Sequence, residues 1–293
     1  VETGKTRSIV QRVSETASAK EDDKTGAKRA EADAGAPHLE VRSLQKSFGE
    51  TKVLRDVNMS IGRGHIAVII GGSGAGKTTL LRILIGLERP SSGSVEISGQ
   101  DIAALSDREL NVVRRKFGMV FQYSALLDSM NVLDNVAFPL REHTDLSEKE
   151  IRSRVSEKLN SLGLENVEKR FPSQLSGGMR KRVALARALM LEPEVIMYDE
   201  PTSGLDPVTS RMVDDLILDT RNQFGVTSVI ISHDMVGALQ IADEIYLLSK
   251  GEIVASGPPK ELIHGDNELL HKFLQSSGVT AMPGAAEKLT RGD

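Results

Sequence analysis

The chain has 293 residues, and its 39% hydrophobic content suits the packed core of one large or two small domains. With 37 basic against 41 acidic residues, the net charge of −4 argues against a dedicated nucleic-acid binder. The lack of cysteine excludes disulfides, thiolate zinc sites and cysteine nucleophiles, and the six histidines show no metal-ligand spacing. Residues 1–37 are rich in Ala, Lys, Glu, Asp, Thr and Ser, with almost no large apolar residue after Val13. They are predicted to be a disordered tail, a short docking helix around Arg7–Val13 being the alternative. The polar start has no apolar secretory core. No apolar run approaches the roughly 18 residues of a membrane span.

Pattern begins at Leu39. Leu39, Val41 and Leu44, then Val53, Leu54, Val57, Met59 and Ile61, read as short strands. Ile66–Ile70 is a continuous, mostly β-branched run, the mark of a strand buried on both faces. A glycine-rich loop follows, then a helix predicted from about Lys77 to Leu87. Ser147 and Glu150 form a capping box for a second helix to Leu162, with Ile151, Val155, Leu159 and Leu162 on one face and Gly163 as the stop. Val195–Tyr198, Val226–Ile231 and Ile245–Leu248 are further strands. Helical stretches alternate with them, which predicts a mostly parallel α/β sheet covered on both faces. A short helix over Glu268–Leu274 and a polar tail close the chain.

Gly71-Gly72-Ser73-Gly74-Ala75-Gly76-Lys77-Thr78 matches the P-loop pattern, in the strand–loop–helix context it requires. Glycines let the backbone approach phosphate closely, and N–H groups at a helix start form an anion nest. Lys77 is placed on the β- and γ-phosphates and Thr78 on Mg²⁺; Thr79 continues the site. Val195 to Tyr198 ends in Asp199-Glu200, which brings carboxylates to the ligand-binding edge of the sheet. Asp199 is the candidate Mg²⁺ ligand and Glu200 the candidate general base. Alone, such a pair is more often a solvated turn; it gains force from the P-loop upstream.

Leu175-Ser176-Gly177-Gly178-Met179 resembles the signature motif of ABC transporter ATPases, and the match continues through Arg180 to Ala188. Gln122 matches the family's Q-loop, Ser203-Gly204-Leu205-Asp206 its D-loop, His233 its switch histidine, and Phe48 its adenine-stacking aromatic. Gln122 then stands as a further Mg²⁺ ligand, and Gln122 and His233 join Glu200 as catalytic residues. The resemblance covers residues 38 to 265. It implies a P-loop NTPase fold of the ABC type, with an antiparallel β subdomain and a helical subdomain inserted at about residues 123–190. Residues 266–293 fall outside it as a C-terminal helix and tail. It also implies a dimer in which Ser176, Gly177 and Gly178 of one copy face the ATP of the other, Asp206 of the D-loop as a further nucleotide-site residue, and a membrane permease seated on the helical subdomain.

Phe121 to Val132 and Asn135 to Thr144, with Met179 where the family usually has Gln, look like the ATPase of Mla/Mce-type phospholipid transporters. That resemblance implies lipid movement between bacterial inner and outer membranes. It adds a Mce-type lipid-binding protein as a partner, no nucleic acid, and a place at the cytoplasmic face of the inner membrane. An importer of a small polar solute such as an amino acid shares every hydrolysis motif and stays open. So does a non-transport ABC ATPase acting on DNA or ribosomes, although a single P-loop, no visible coiled-coil insertion and the acidic balance count against it.

Overall fold

Strand β3, Ile66–Ile70, is buried along its whole length. Ile66, Val68 and Ile70 belong to one apolar cluster, Ala67 and Ile69 to another. Side chains alternate across a strand, so a run without polar residues needs cover on both faces. The computed structural model describes residues 36–264 together with Leu270 and Phe273. The N-terminal tail up to residue 35, and nearly all of the helix and tail after 264, therefore lie outside the described residues. Leu270 and Phe273 are helical.

Among the described residues ten strands form one sheet: β1 (Leu39–Phe48), β2 (Thr51–Ile61), β3, β4 (Ser92–Ile97), β5 (Gln100–Asp101), β6 (Phe117–Val120), β7 (Val195–Asp199), β8 (Thr227–Ser232), β9 (Glu244–Ser249) and β10 (Glu252–Gly257). Their order is β5-β4-β1-β2-β10-β9-β3-β8-β7-β6. From β9 to β6 every neighbouring pair is parallel. The pairs β1·β2, β1·β4, β4·β5 and β9·β10 are antiparallel. With β2·β10 also parallel, the sheet read from the alternation of elements is parallel in five of its nine pairs, and the antiparallel pairs accompany it as the resemblance implies. The physical reason is connection length: β1 and β2 are joined through Gly49 and Glu50 alone, and so short a link cannot make a parallel crossover. These strands are also long rather than short. Burial along β2 picks out Leu54, Val57, Met59 and Ile61, so one face is packed and the other open.

The helices are α1 (Lys77–Leu84), α2 (Asp107–Arg114), α3 (Val132–His143), α4 (Glu148–Ser161), α5 (Gly177–Ala188), α6 (Pro207–Phe224), α7 (Met235–Ile241) and α8 (Pro259–His264). α1 stops short of Leu87 because the chain turns at Gly86, with φ at 69°. α4 has both bonds of its capping box, between Ser147 and Glu150. Helix α3 packs against α4 and α5. Leu140 of α3, Val155 of α4 and Val183 of α5 share an apolar cluster with Ile196 of the parallel sheet.

Candidate functional site

The loop from Gly71 to Gly76 leaves β3 and enters α1 with its backbone pressed against two neighbours. A Cβ on Gly71 would stand 2.3 Å from the carbonyl oxygen of Leu248. One on Gly76, where φ is 109°, would stand 2.8 Å from Leu54 Cδ2. Only glycine fits at either position. Gly72 and Gly74 face open space, and Ser73 and Thr78 are exposed. Ala75 is buried beneath the loop and Thr79 half-buried beyond it. No side chain caps α1, so its first N–H groups stay available to an anion. The Lys77 ammonium arches back over the loop, donating to the carbonyls of Gly71 at 2.7 Å and Gly72 at 3.2 Å. The β1–β2 hairpin runs against the loop at Val53 and Leu54. It carries Phe48, half exposed, with Lys46 Nζ 4.7 Å from the ring centroid.

The acidic edge stands beside this loop. β7 and β8 are parallel neighbours with Asp199 opposite Ile231. Residues just past their ends therefore emerge together, and His233 Nδ1 lies 2.6 Å from Glu200 Oε2. Glu200 holds a left-handed φ of 49°, unusual for a side-chain-bearing residue, and its N–H donates to the carbonyl of Ile231 at 2.9 Å. The Asp199 carboxyl is pushed above its ordinary range, first by burial and then by the charge of Glu200, with Lys77 and Arg82 pulling the other way. Two carboxylates, an imidazole and the loop lysine thus meet at the C-terminal edge of the parallel strands. A carboxylate held by an imidazole in this way can accept a proton from water.

The remaining predicted residues gather in a second place. Ser176 caps α5, its Oγ accepting from the Met179 N–H at 3.3 Å. Gly177 and Gly178 form the first turn. They line a cleft of about 540 Å³ together with Gln122 and the D-loop residues Ser203 and Gly204. Asp206 caps α6 and accepts from the N–H groups of Val208 and Thr209, both at 3.0 Å. Its carboxylate caps the helix while the residue itself stays exposed at the surface.

Two residues of this region escaped the sequence reading. Lys181 is buried in α5, and its ammonium donates to the carbonyls of Gln122 at 2.5 Å and Pro201 at 2.9 Å. Arg187 donates to the carbonyls of Ala125 at 2.7 Å and Ser124 at 3.0 Å. Burial lowers the pKa of both side chains. A signal was present: Lys181 sits at helical spacing with Ala184, Leu185 and Ala188, on an otherwise apolar stripe.

A family model described as ABC transporter matches residues 54–203. A probable ribonucleotide transport ATP-binding protein, Mkl of Mycobacterium leprae, is 44% identical over 85% of this chain and 72% of its own. The intermembrane phospholipid transport system ATP-binding protein MlaF of Escherichia coli is 42% identical over 84% of this chain and 91% of its own. The methionine import ATP-binding protein MetN 1 of Rhodococcus jostii is 46% identical over 77% of this chain and 68% of its own. Among solved structures, CbiO1 from Clostridium perfringens superposes with a TM-score of 0.73 at 32% identity, over 82% of this chain and 95% of that one. The dimeric ATP-binding cassette MJ0796, bound to ADP and Pi after hydrolysis, gives 0.66 at 34% identity, over 75% and 98%. With the P-loop, the acidic edge and the glycine-led helix in one sheet-and-helix frame, the chain belongs to the ABC transporter family, as an ATP-binding, ATP-hydrolysing subunit.

Proposed function

We propose that this chain powers phospholipid transport between the inner and outer membranes of a bacterium, from the cytoplasmic face of the inner membrane. The match with MlaF, along nearly the whole of that protein, carries the reading. The likeness of Tyr123 to Thr144 to the Mla/Mce-type ATPases supports it in the region where a permease would sit. There a cleft of about 790 Å³ is lined by Phe121, Leu127 and Phe138 with Arg114 and Arg187 at its edge, a surface suited to an apolar helix from a membrane partner. Among the described residues no helix is long and apolar enough to cross a membrane, so attachment through a permease is the fitting route. A Mce-type lipid-binding protein completes the assembly. An importer of a small polar solute is the second reading, favoured by the identity with the methionine import protein.

In this reading residues 38–265 are the ATPase domain, with a helical subdomain at about 123–190. Phe48 stacks on adenine, and Gly71 to Thr79 wrap the phosphates with Lys77 on their outer oxygens. Thr78, Asp199 and Gln122 would hold Mg²⁺. The fit is chemical: two adjacent carboxylates, one raised by burial and by the other's charge, favour a divalent cation. When bound, Mg²⁺ would neutralise charge on the phosphate oxygens. Glu200, oriented by His233, takes a proton from water as its oxygen bonds to the γ-phosphorus. The bond to the bridging oxygen breaks, leaving ADP and phosphate. Ser176 to Gly178 and Asp206 serve the site of a second copy, an arrangement supported by the dimeric cassette resembling this chain.

The deciding experiment is purification of the tagged chain from native membranes with its partners attached. A permease together with a Mce-type lipid-binding protein is the expected result. A solute-binding protein in that place would replace lipid transport by the second reading.

A further inference from the structure

Helix α5 begins at the signature glycines and carries, one turn later, an ammonium group with a specific set of partners. Lys181 is 9% exposed. It donates to two backbone carbonyls rather than to carboxylates. One belongs to Gln122, the other to Pro201, the residue after Glu200. Burying an ammonium costs free energy, and an apolar side chain on this stripe of α5 would avoid the cost. What the lysine adds is a fixed bridge between two segments that are otherwise 79 positions apart in sequence. Both segments hold residues in left-handed conformations: Glu200 at φ 49°, and Ser124 and Ala125 at 64° and 44° beyond Gln122. Such conformations persist only where the surroundings enforce them. Arg187, further along α5, holds the carbonyls of Ser124 and Ala125 in the same way.

We propose that Lys181 is a positioning residue of the ATPase site: it ties the backbone of Gln122 and the turn after Glu200 to helix α5. The side chains of Gln122 and Glu200 then keep the relative placement that hydrolysis needs. The helix that presents Ser176 to Gly178 to a second copy thereby also sets the chain's own catalytic edge. Lys181 touches neither nucleotide nor water in this scheme; it acts through the two segments it holds. The inference rests on the roles proposed above for Gln122 and Glu200.

The test is steady-state ATP turnover of the full chain, with melting temperature measured on every variant. Lys181→Met is expected to lower kcat about tenfold or more while KM for ATP stays within about twofold. Lys181→Gln, which keeps two N–H donors, is expected to recover part of the loss, and it carries the test alone if the methionine variant does not fold. In a Gln122→Ala background Lys181→Met should cost clearly less, because one of the groups it positions is gone. Unchanged kcat in both lysine variants overturns the proposal. So does a joint loss of kcat and ATP affinity that follows the fall in melting temperature, which would make the lysine a folding element only. Full additivity with Gln122→Ala overturns the link through the Q-loop. Glu200→Gln is measured alongside: normal turnover there would remove Glu200 as the base, whatever Lys181 does.

Discussion

Gly178 lies in the first turn of α5, and a Cβ built on it meets nothing within 4 Å. On Gly177 a Cβ would meet only Arg180 Nη2, at 3.9 Å. Neither glycine has a positive φ. Nothing in this chain therefore requires glycine at Gly178, and helices favour alanine over it by about 1 kcal/mol in their interior. In a first turn the gain is smaller, about 0.5 kcal/mol, because the unfolded chain loses freedom without any new clash. Gly178→Ala should then raise the melting temperature slightly, by about 1–2 °C for a domain of this size. If the space above Gly178 is where the phosphates of a second copy's ATP approach, the added methyl displaces them. A displacement of about 1 Å costs on the order of 10²-fold in turnover. Calorimetry and a coupled ATPase assay on the same preparation read both quantities. A rise in stability with a collapse in turnover places the reason for the glycine outside the chain. A fall in melting temperature, or wild-type turnover, would refute the reasoning.

Lys77→Ala should abolish turnover and weaken nucleotide binding in titration calorimetry while leaving the fold intact, since the ammonium hydrogen-bonds to the loop carbonyls of Gly71 and Gly72 and not to the core. Glu200→Gln should keep ATP binding and lose about 10²- to 10⁴-fold in kcat, trapping an ATP-bound dimer visible by light scattering. Asp214, buried on α6, has its carboxyl pushed up to about 7, first by burial and then by the charge of Asp234. Between its ordinary 3.8 and about 7 the folded chain keeps a proton that the unfolded chain has lost, so this group's stabilisation drains away as pH rises through that window. Asp214→Asn should therefore stabilise the protein at pH 8 by about 1–2 kcal/mol, discounted for solvent screening, with the gain shrinking toward pH 4 in urea titrations.

Much of the fold is written locally. The β-branched run Ile66–Ile70 has the mark of a doubly covered strand, and the pair Ser147 and Glu150 marks a helix start through bonds made within four residues. What escaped depends on distant partners. α3 carries Pro139 inside it and places the polar Asn135 among apolar neighbours. In the fold Asn135 is fully buried, accepting from the Leu127 N–H and donating to the carbonyls of Leu127, Met130 and Asn131. An amide that closes a loop onto a helix in this way is invisible until the loop is in place. The candidate site divides similarly. Spacing suffices to nominate Glu200 and His233, but their contact exists because β7 and β8 are parallel neighbours in one register.

That division has a physical meaning at the site itself. Three of the side-chain-bearing residues in left-handed conformations lie here, and another element grips each: Ile231 accepts from the Glu200 N–H, Lys181 holds the next carbonyl, and Arg187 holds Ser124 and Ala125. Where the chain has Gly72, Gly74 and Gly178, a Cβ would meet nothing. The gripped positions include or adjoin Glu200 and Gln122, the residues proposed to act in hydrolysis, and such groups gain from pre-organisation. The open glycines lie on the surfaces to which phosphate would come, two in the chain's own loop and one on the helix proposed to face a second copy. One polypeptide therefore supplies a finished catalytic edge and two unfinished anion surfaces, and only nucleotide held between two copies would fill both.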